Sequence, residues 1–177
     1  MNEVPEIWIV TGIPGAGKST VARLLAESFE RAAYVEGDVL RGFVVSGVAW
    51  PEGPTLDGEA ERQFELAIRN QCLLARSFSE AGFLPVLDGV IVMLHHLEAY
   101  RGYLSGGRLR LVVLAPDAEV AARRNEGREK PAVDFSALDA VMREQLADEG
   151  LWVDSSSQTA DETLAAILAD ADQAVIA

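Results

Sequence analysis

The chain has 177 residues, which suits one α/β domain over residues 1–177 and is too short for two independently folding ones. Its 15 basic against 28 acidic residues leave a formal charge of −13, and 49% of the chain is hydrophobic. Such a composition excludes wholesale disorder and disfavours nucleic acid or an anionic membrane as partner, so a phosphate-bearing ligand would need a locally positive site.

The first residues lack the positive start and apolar run of a secretion signal. The longest apolar stretch, Phe83 to Leu94, is interrupted by Pro85, Asp88 and Gly89 and is too short to span a bilayer. Cys72 is the only cysteine, so neither a disulfide nor a cysteine zinc cluster can form within the chain. A cytoplasmic protein is expected. His95 and His96 have no partner at metal-ligand spacing in the sequence and read as solvated residues at a helix start.

Apolar runs alternate with amphipathic stretches along the chain, as in βαβ units. Ile7 to Thr11 reads as a strand, followed by a glycine loop and a helix from about Ser19 to Arg31. Ala33 to Val35 is a second short strand, and Ser46 to Gly58, with two prolines and three glycines, a loop. Glu59 to Ala81 has apolar residues at helical period. Phe83 to Leu87, Leu109 to Leu114 and Leu151 to Val153 are the remaining strands; Pro85 points to an edge or strand-start position for the first of them. Helices are expected at about Ala118 to Asn125, Ser136 to Asp148 and Asp161 to Ala171. Continuously apolar strands imply a parallel sheet covered on both faces.

Gly12-Ile13-Pro14-Gly15-Ala16-Gly17-Lys18-Ser19 satisfies G-x-x-x-x-G-K-[ST], between a strand and a helix. The glycines let successive backbone N–H groups turn toward phosphate oxygens, and the helix start adds its positive end. Gly12, Gly15, Ala16, Gly17, Lys18, Ser19 and Thr20 are thus expected to hold a nucleotide, with Lys18 on the β- and γ-phosphates and Ser19 on Mg²⁺. A five-stranded, three-layer P-loop NTPase fold follows.

In open α/β sheets ligands bind at the carboxyl ends of the strands. After the second strand, Asp38 is placed to deprotonate a hydroxyl, or alternatively to cap a helix beginning near Val39; Arg41, one turn on, could hold the acceptor. Asp88 ends the third strand and reads as a metal-side carboxylate or as a turn residue before Gly89. Trp50 could stack on an acceptor ring or simply close an apolar rim. Arg123, Arg124, Arg128 and Lys130 gather in an acidic protein, and Arg124 and Arg128 share a face if helical. A lid at about 125–134 closing over the nucleotide accounts for them better than helix-end charge alone.

Together, Gly12 to Ser19, Asp38-x-x-Arg41 and Arg124-x-x-x-Arg128 resemble the small P-loop kinases of the nucleoside-monophosphate-kinase fold, a group that includes shikimate kinase, gluconate kinase, adenylate kinase and chloramphenicol phosphotransferase. The resemblance implies that Asp38 is the general base, that Arg124 contacts adenine and that Arg128 contacts phosphates. It also implies that the loop at Val153-Asp154-Ser155-Ser156 borders the adenine pocket. Nothing matches a guanine-specificity motif, which favours ATP. The expected activity is ATP- and Mg²⁺-dependent transfer of the γ-phosphoryl group to a hydroxyl of a small molecule, an antibiotic or metabolite. Lys18, Asp38 and Arg128 would carry the chemistry, Asp38, Arg41, Trp50 and Asp88 would meet the acceptor, and Ser19 and Asp88 would meet the metal. The alternatives are a nucleotide or polynucleotide kinase, or a regulator that hydrolyses ATP slowly.

Overall fold

The computed structural model describes residues 5–50, 58–126 and 135–177. Five parallel strands form one sheet: β1 (Glu6–Gly12), β2 (Ala32–Glu36), β3 (Leu84–Asp88), β4 (Arg108–Leu114) and β5 (Leu151–Val153), in the order β2-β3-β1-β4-β5. The helices are α1 (Lys18–Glu27), α2 (Gly37–Arg41), α3 (Gly58–Glu80), α4 (Leu94–Tyr103), α5 (Ala118–Asn125), α6 (Phe135–Gln145) and α7 (Ala160–Ala169). They cover both sides of the sheet, α1 packing with α7 and α3 with α4. This is the three-layer P-loop architecture expected from the sequence.

β1 is central and almost fully buried, and Leu111 to Leu114 of β4 are equally enclosed. Burial on both faces is why these strands are apolar without alternation. The chain leaves β1 for β2, returns to β3 and then crosses β1 to reach β4. The order therefore reverses around β1, and a crevice opens at the carboxyl ends of β1 and β3.

Several boundaries differ from the sequence reading for identifiable reasons. α1 ends at Glu27, short of Arg31, and the Ser28 hydroxyl turns back to donate to the Leu25 carbonyl at 2.7 Å. β3 is an interior strand despite Pro85. Its pairing with β1 begins only at Val86, so the missing proline N–H falls where β2 alone is in register. α4 starts where His95 and His96 are expected to open a helix, but its extent could not be read because its leucines and tyrosines do not fall on one clean face. α7 starts with a capping box, Thr159 accepting from the Glu162 backbone and Glu162 accepting from the Thr159 backbone. Among the described residues no helix is long and apolar enough to cross a membrane.

Candidate functional site

The glycine loop leaves β1 and enters α1 at Lys18 with Gly17 at the N-cap position and no side chain capping the helix. The positive end of α1 therefore faces the loop without a side-chain cap, which is where an anion is favoured. Gly15 has φ 83°, and a Cβ there would overlap the Ala121 carbonyl of α5. Glycine at this position is what allows α5 to seat directly against the loop. Half-buried Lys18 donates from Nζ to the Ile13 carbonyl at 3.1 Å, bending its side chain back over the loop.

A cleft of about 320 Å³ opens beside the loop, lined by Gly15 through Val21 and, opposite, by Arg124, Ser155, Gln158, Ala160 and Thr163. Arg124 donates to the Ser155 carbonyl at 2.9 Å, joining the end of α5 to the loop after β5. That loop is fixed by Asp154, which accepts from the Ser156 hydroxyl at 2.5 Å and its N–H at 2.9 Å. These bonds hold the Asp154 carboxyl below the usual range. The structure brings together Arg124 and the 153–156 loop on the far wall from Lys18, Ser19 and Thr20.

Arg128 and Lys130, and the segment 127–134 of the expected lid, lie outside the described residues. α5 ends at Asn125 and Glu126 is extended, so a continuous helix, the condition for Arg124 and Arg128 to share a face, is not met at Glu126.

Asp88 is almost fully buried at the end of β3 and in register with Val10 of β1. Its Oδ2 accepts from the Tyr34 hydroxyl at 3.1 Å and its Oδ1 from the Gly37 N–H at 3.2 Å. The Ser19 side chain faces the same Tyr34 hydroxyl, so this phenol sits between the first turn of α1 and the end of β3. Burial, reinforced by the Asp88 charge, pushes the Tyr34 hydroxyl well above its ordinary range, so it remains a donor at any physiological pH. Each Asp88 oxygen keeps a lone pair beyond its one hydrogen bond. With the Ser19 hydroxyl these are hard oxygen donors, a set that fits Mg²⁺ held directly or through water.

Below Asp88, buried Gln71 of α3 donates from Nε2 to the carbonyls of Val35 and Asp88 at 2.7 and 2.8 Å and accepts from the Tyr100 hydroxyl. This clasp holds the ends of β2 and β3 together. On the other side, the Thr11 hydroxyl bonds both the N–H and the carbonyl of Ile91, fixing the loop after β3 against β1. Neither clasp was legible in the sequence, because each depends on a partner dozens of residues away.

Asp38 is exposed in the first turn of α2. The N-cap position belongs to Glu36 and the helix starts at Gly37, so Asp38 does not cap a helix beginning at Val39. Gly37 is pinned by Asp88, and a Cβ there would press on the Asp88 carbonyl at 2.8 Å, so the Asp38 backbone is one residue from the buried carboxylate. Arg41, at the other end of α2, places its guanidinium 5.3 Å from the Trp50 ring and 5.5 Å from the Phe64 ring. Trp50 is more than half exposed. Gln63 tethers the loop before it, accepting from the Ala49 N–H at 3.0 Å and donating to the Gly47 carbonyl at 2.8 Å. Asp38, Arg41 and Trp50 thus occupy one flank, reached from the phosphate loop through Asp88.

The histidines correct the sequence reading. His95 is exposed, but His96 is only 2% exposed, its ring 4.5 Å from that of Phe64.

The family model described as "AAA domain" matches residues 7–150, which runs from β1 to the residue before β5. The chain belongs to that family. A curated relative, the cytidylate kinase of Aeromonas salmonicida (strain A449), is 26% identical over 98% of this chain and 96% of its own length. Among solved structures, a gluconokinase from Sinorhizobium meliloti 1021 aligns with a TM-score of 0.61 at 22% identity, covering 94% of this chain and 91% of its own. The APS kinase CysC of Mycobacterium tuberculosis, solved with AMPPNP and APS, aligns with a TM-score of 0.68 at 16% identity over 94% and 96% of the two chains. This family member therefore has the fold of the small P-loop kinases.

Proposed function

We propose that this protein is a kinase that moves the γ-phosphoryl group of ATP to a hydroxyl of a small molecule, with Mg²⁺ as cofactor. The observation that carries the reading is the continuity of one site: a phosphate loop with no side-chain cap opens on a cleft walled by Arg124 and Ser155, and Tyr34, facing Ser19, bonds Asp88, which in turn bonds the start of the helix bearing Asp38.

In this reading the loop amides and Lys18 hold the β- and γ-phosphates, while Arg124 and the Ser155 loop border the base. Ser19 and Asp88 would hold Mg²⁺, whose contribution is to neutralise charge on the phosphates. Asp38 accepts the proton of the attacking hydroxyl, and Arg41, with Trp50 against it, orients the acceptor. Arg128 is the further cation assigned to the transferred phosphoryl group. The acidic remainder of the surface leaves this cleft as the place where an anion is welcome, and the single buried Cys72 suits a cytoplasmic setting.

The cytidylate kinase relative favours a second reading, in which the acceptor is a nucleoside monophosphate. Acceptor-dependent ADP release, screened with sugars, shikimate, nucleosides, phenicols and CMP, separates the two. With a productive acceptor, Asp38→Asn should lower kcat by about 10²–10⁴-fold while ATP affinity is kept. Lys18→Ala should lose both ATP binding and turnover. ADP release independent of every acceptor would replace the kinase reading with that of a slow ATPase.

A further inference from the structure

Away from the nucleotide cleft, three metal-ligating side chains converge from two parts of the chain. Glu61 lies in the first turn of α3, and His95 and His96 in the first turn of α4. Packing of α3 on α4 brings Glu61 Oε1 to 2.8 Å from Nε2 of both histidines. Neighbouring residues on a helix point about 100° apart, yet these two rings lie 4.1 Å apart, centroid to centroid. One ligand atom from each of the three residues lies within 4.8 Å of the others.

A hydrogen-bonded cluster explains this arrangement incompletely. Both imidazole protons would fall on one carboxylate oxygen, leaving Glu61 Oε2 buried with no hydrogen-bond partner. Leaving a buried carboxylate oxygen unpaired is costly. A cation seated among the three groups would engage that oxygen as well.

We propose that Glu61, His95 and His96 form a site for a divalent cation of the zinc class (Zn²⁺, Co²⁺ or Ni²⁺), with both carboxylate oxygens of Glu61 available to it. Two imidazoles and one carboxylate are a donor set that such cations take, with a position left open for water or another ligand. Mg²⁺, which prefers an octahedron of oxygens, is a poor match. The site is therefore chemically distinct from Ser19 and Asp88.

The surroundings also set the strength. His96 Nδ1 is buried without a hydrogen-bond partner, whereas tight sites anchor the second imidazole nitrogen, and losing that anchor costs about 10–100-fold in affinity. Both helices also present their positive ends to the cation. Micromolar, exchangeable binding is expected rather than a permanent structural metal. Its position gives it a target: the His96 ring meets Phe64, over which the Arg41 guanidinium lies at 5.5 Å. An occupied site would tie the starts of α3 and α4 together one ring away from Arg41.

Calorimetric titration of the nucleotide-free, chelator-stripped full chain with Zn²⁺ alone tests the assignment, with the visible absorption of Co²⁺ as a second readout. One equivalent should bind at micromolar concentration, and Mg²⁺ should not compete. His95→Gln changes an exposed ring, and Glu61→Gln keeps the side-chain volume; each should weaken binding at least about tenfold. Circular dichroism confirms that the variants are folded, and if Glu61→Gln does not fold, His95→Gln and the native titration decide. Failure of the native chain to bind Zn²⁺ or Co²⁺ below millimolar concentration would overturn the site, as would stoichiometric binding unchanged in folded His95→Gln. No nucleotide or acceptor enters the titration, so its outcome is independent of the kinase reading.

Discussion

The Tyr34 hydroxyl donates to Asp88 Oδ2 at 3.1 Å with the Ser19 side chain facing it, so one phenol sits between the two residues proposed to hold the metal. Tyr34→Phe removes that oxygen and keeps the ring, over which Arg23 lies at 4.6 Å. Losing a hydrogen bond to a charged group costs about 1.5–3 kcal/mol, so the Mg²⁺ concentration needed for half-maximal ATP binding should rise about tenfold. Mg²⁺ titrations at fixed ATP would show it. An unchanged requirement would mean that Ser19 and Asp88 are placed independently of Tyr34.

Gly15→Ala introduces a Cβ at a position with φ 83° and drives it into the Ala121 carbonyl. Backbone strain and overlap together should cost about 2–4 kcal/mol, and the loop should lose most of its nucleotide affinity. Urea denaturation and calorimetry with ATP measure the two effects separately.

Gln71→Leu leaves the carbonyls of Val35 and Asp88 without their side-chain donor and the buried Tyr100 hydroxyl without its acceptor. A loss of about 3 kcal/mol in unfolding free energy is expected. Tyr100→Phe, which removes only one of these groups, should cost about 1 kcal/mol. If the two variants were equally stable, the clasp between the strand ends would contribute nothing.

Burial pushes the Cys72 thiol from its ordinary 9.0 up to about 12, against a smaller opposing pull from Arg76. The native chain should therefore resist a disulfide-exchange reagent at pH 8 and release one equivalent of thiol only on unfolding. Because the folded value is raised, the neutral thiol contributes its full stabilisation below pH 9, which is lost as pH climbs from 9 toward 12. Cys72→Ala should flatten that alkaline decline in part, since buried Tyr100 is raised in the same sense. Denaturation midpoints across this range provide the check.

The strands and the phosphate loop could be read from the sequence because their signals are local: unbroken apolar runs for strands covered on both faces, and fixed glycine, lysine and serine spacing for the loop. Asp88 was legible because an acidic residue ending an apolar run is conspicuous. Tyr34 was not, since a tyrosine within a five-residue strand looks like core, and only its bond to Asp88 and its place facing Ser19 show otherwise. His96 was read as solvated because its burial depends on Phe64, 32 positions earlier in the chain. The place of Asp38 at a helix start was readable, but the residue in the cap position was not, because whether a five-residue helix begins at 37 or 39 turns on the bond from Gly37 to Asp88. Sheet order was equally out of reach, since parallel strands meet through long crossovers whose sequence does not name the neighbour.

The bond between the Gly37 amide and Asp88 makes one carboxylate the hinge pin of two neighbourhoods. If it leans toward a cation it loosens the start of α2; if it tightens on Gly37 it draws the start of α2 toward β3. If Asp88 holds the cation as proposed, loading one half of the crevice should change the affinity of the other, and by thermodynamic reciprocity the second ligand would return the same factor to the first. The two substrates should therefore bind with measurable synergy or antagonism, carried by a single amide proton.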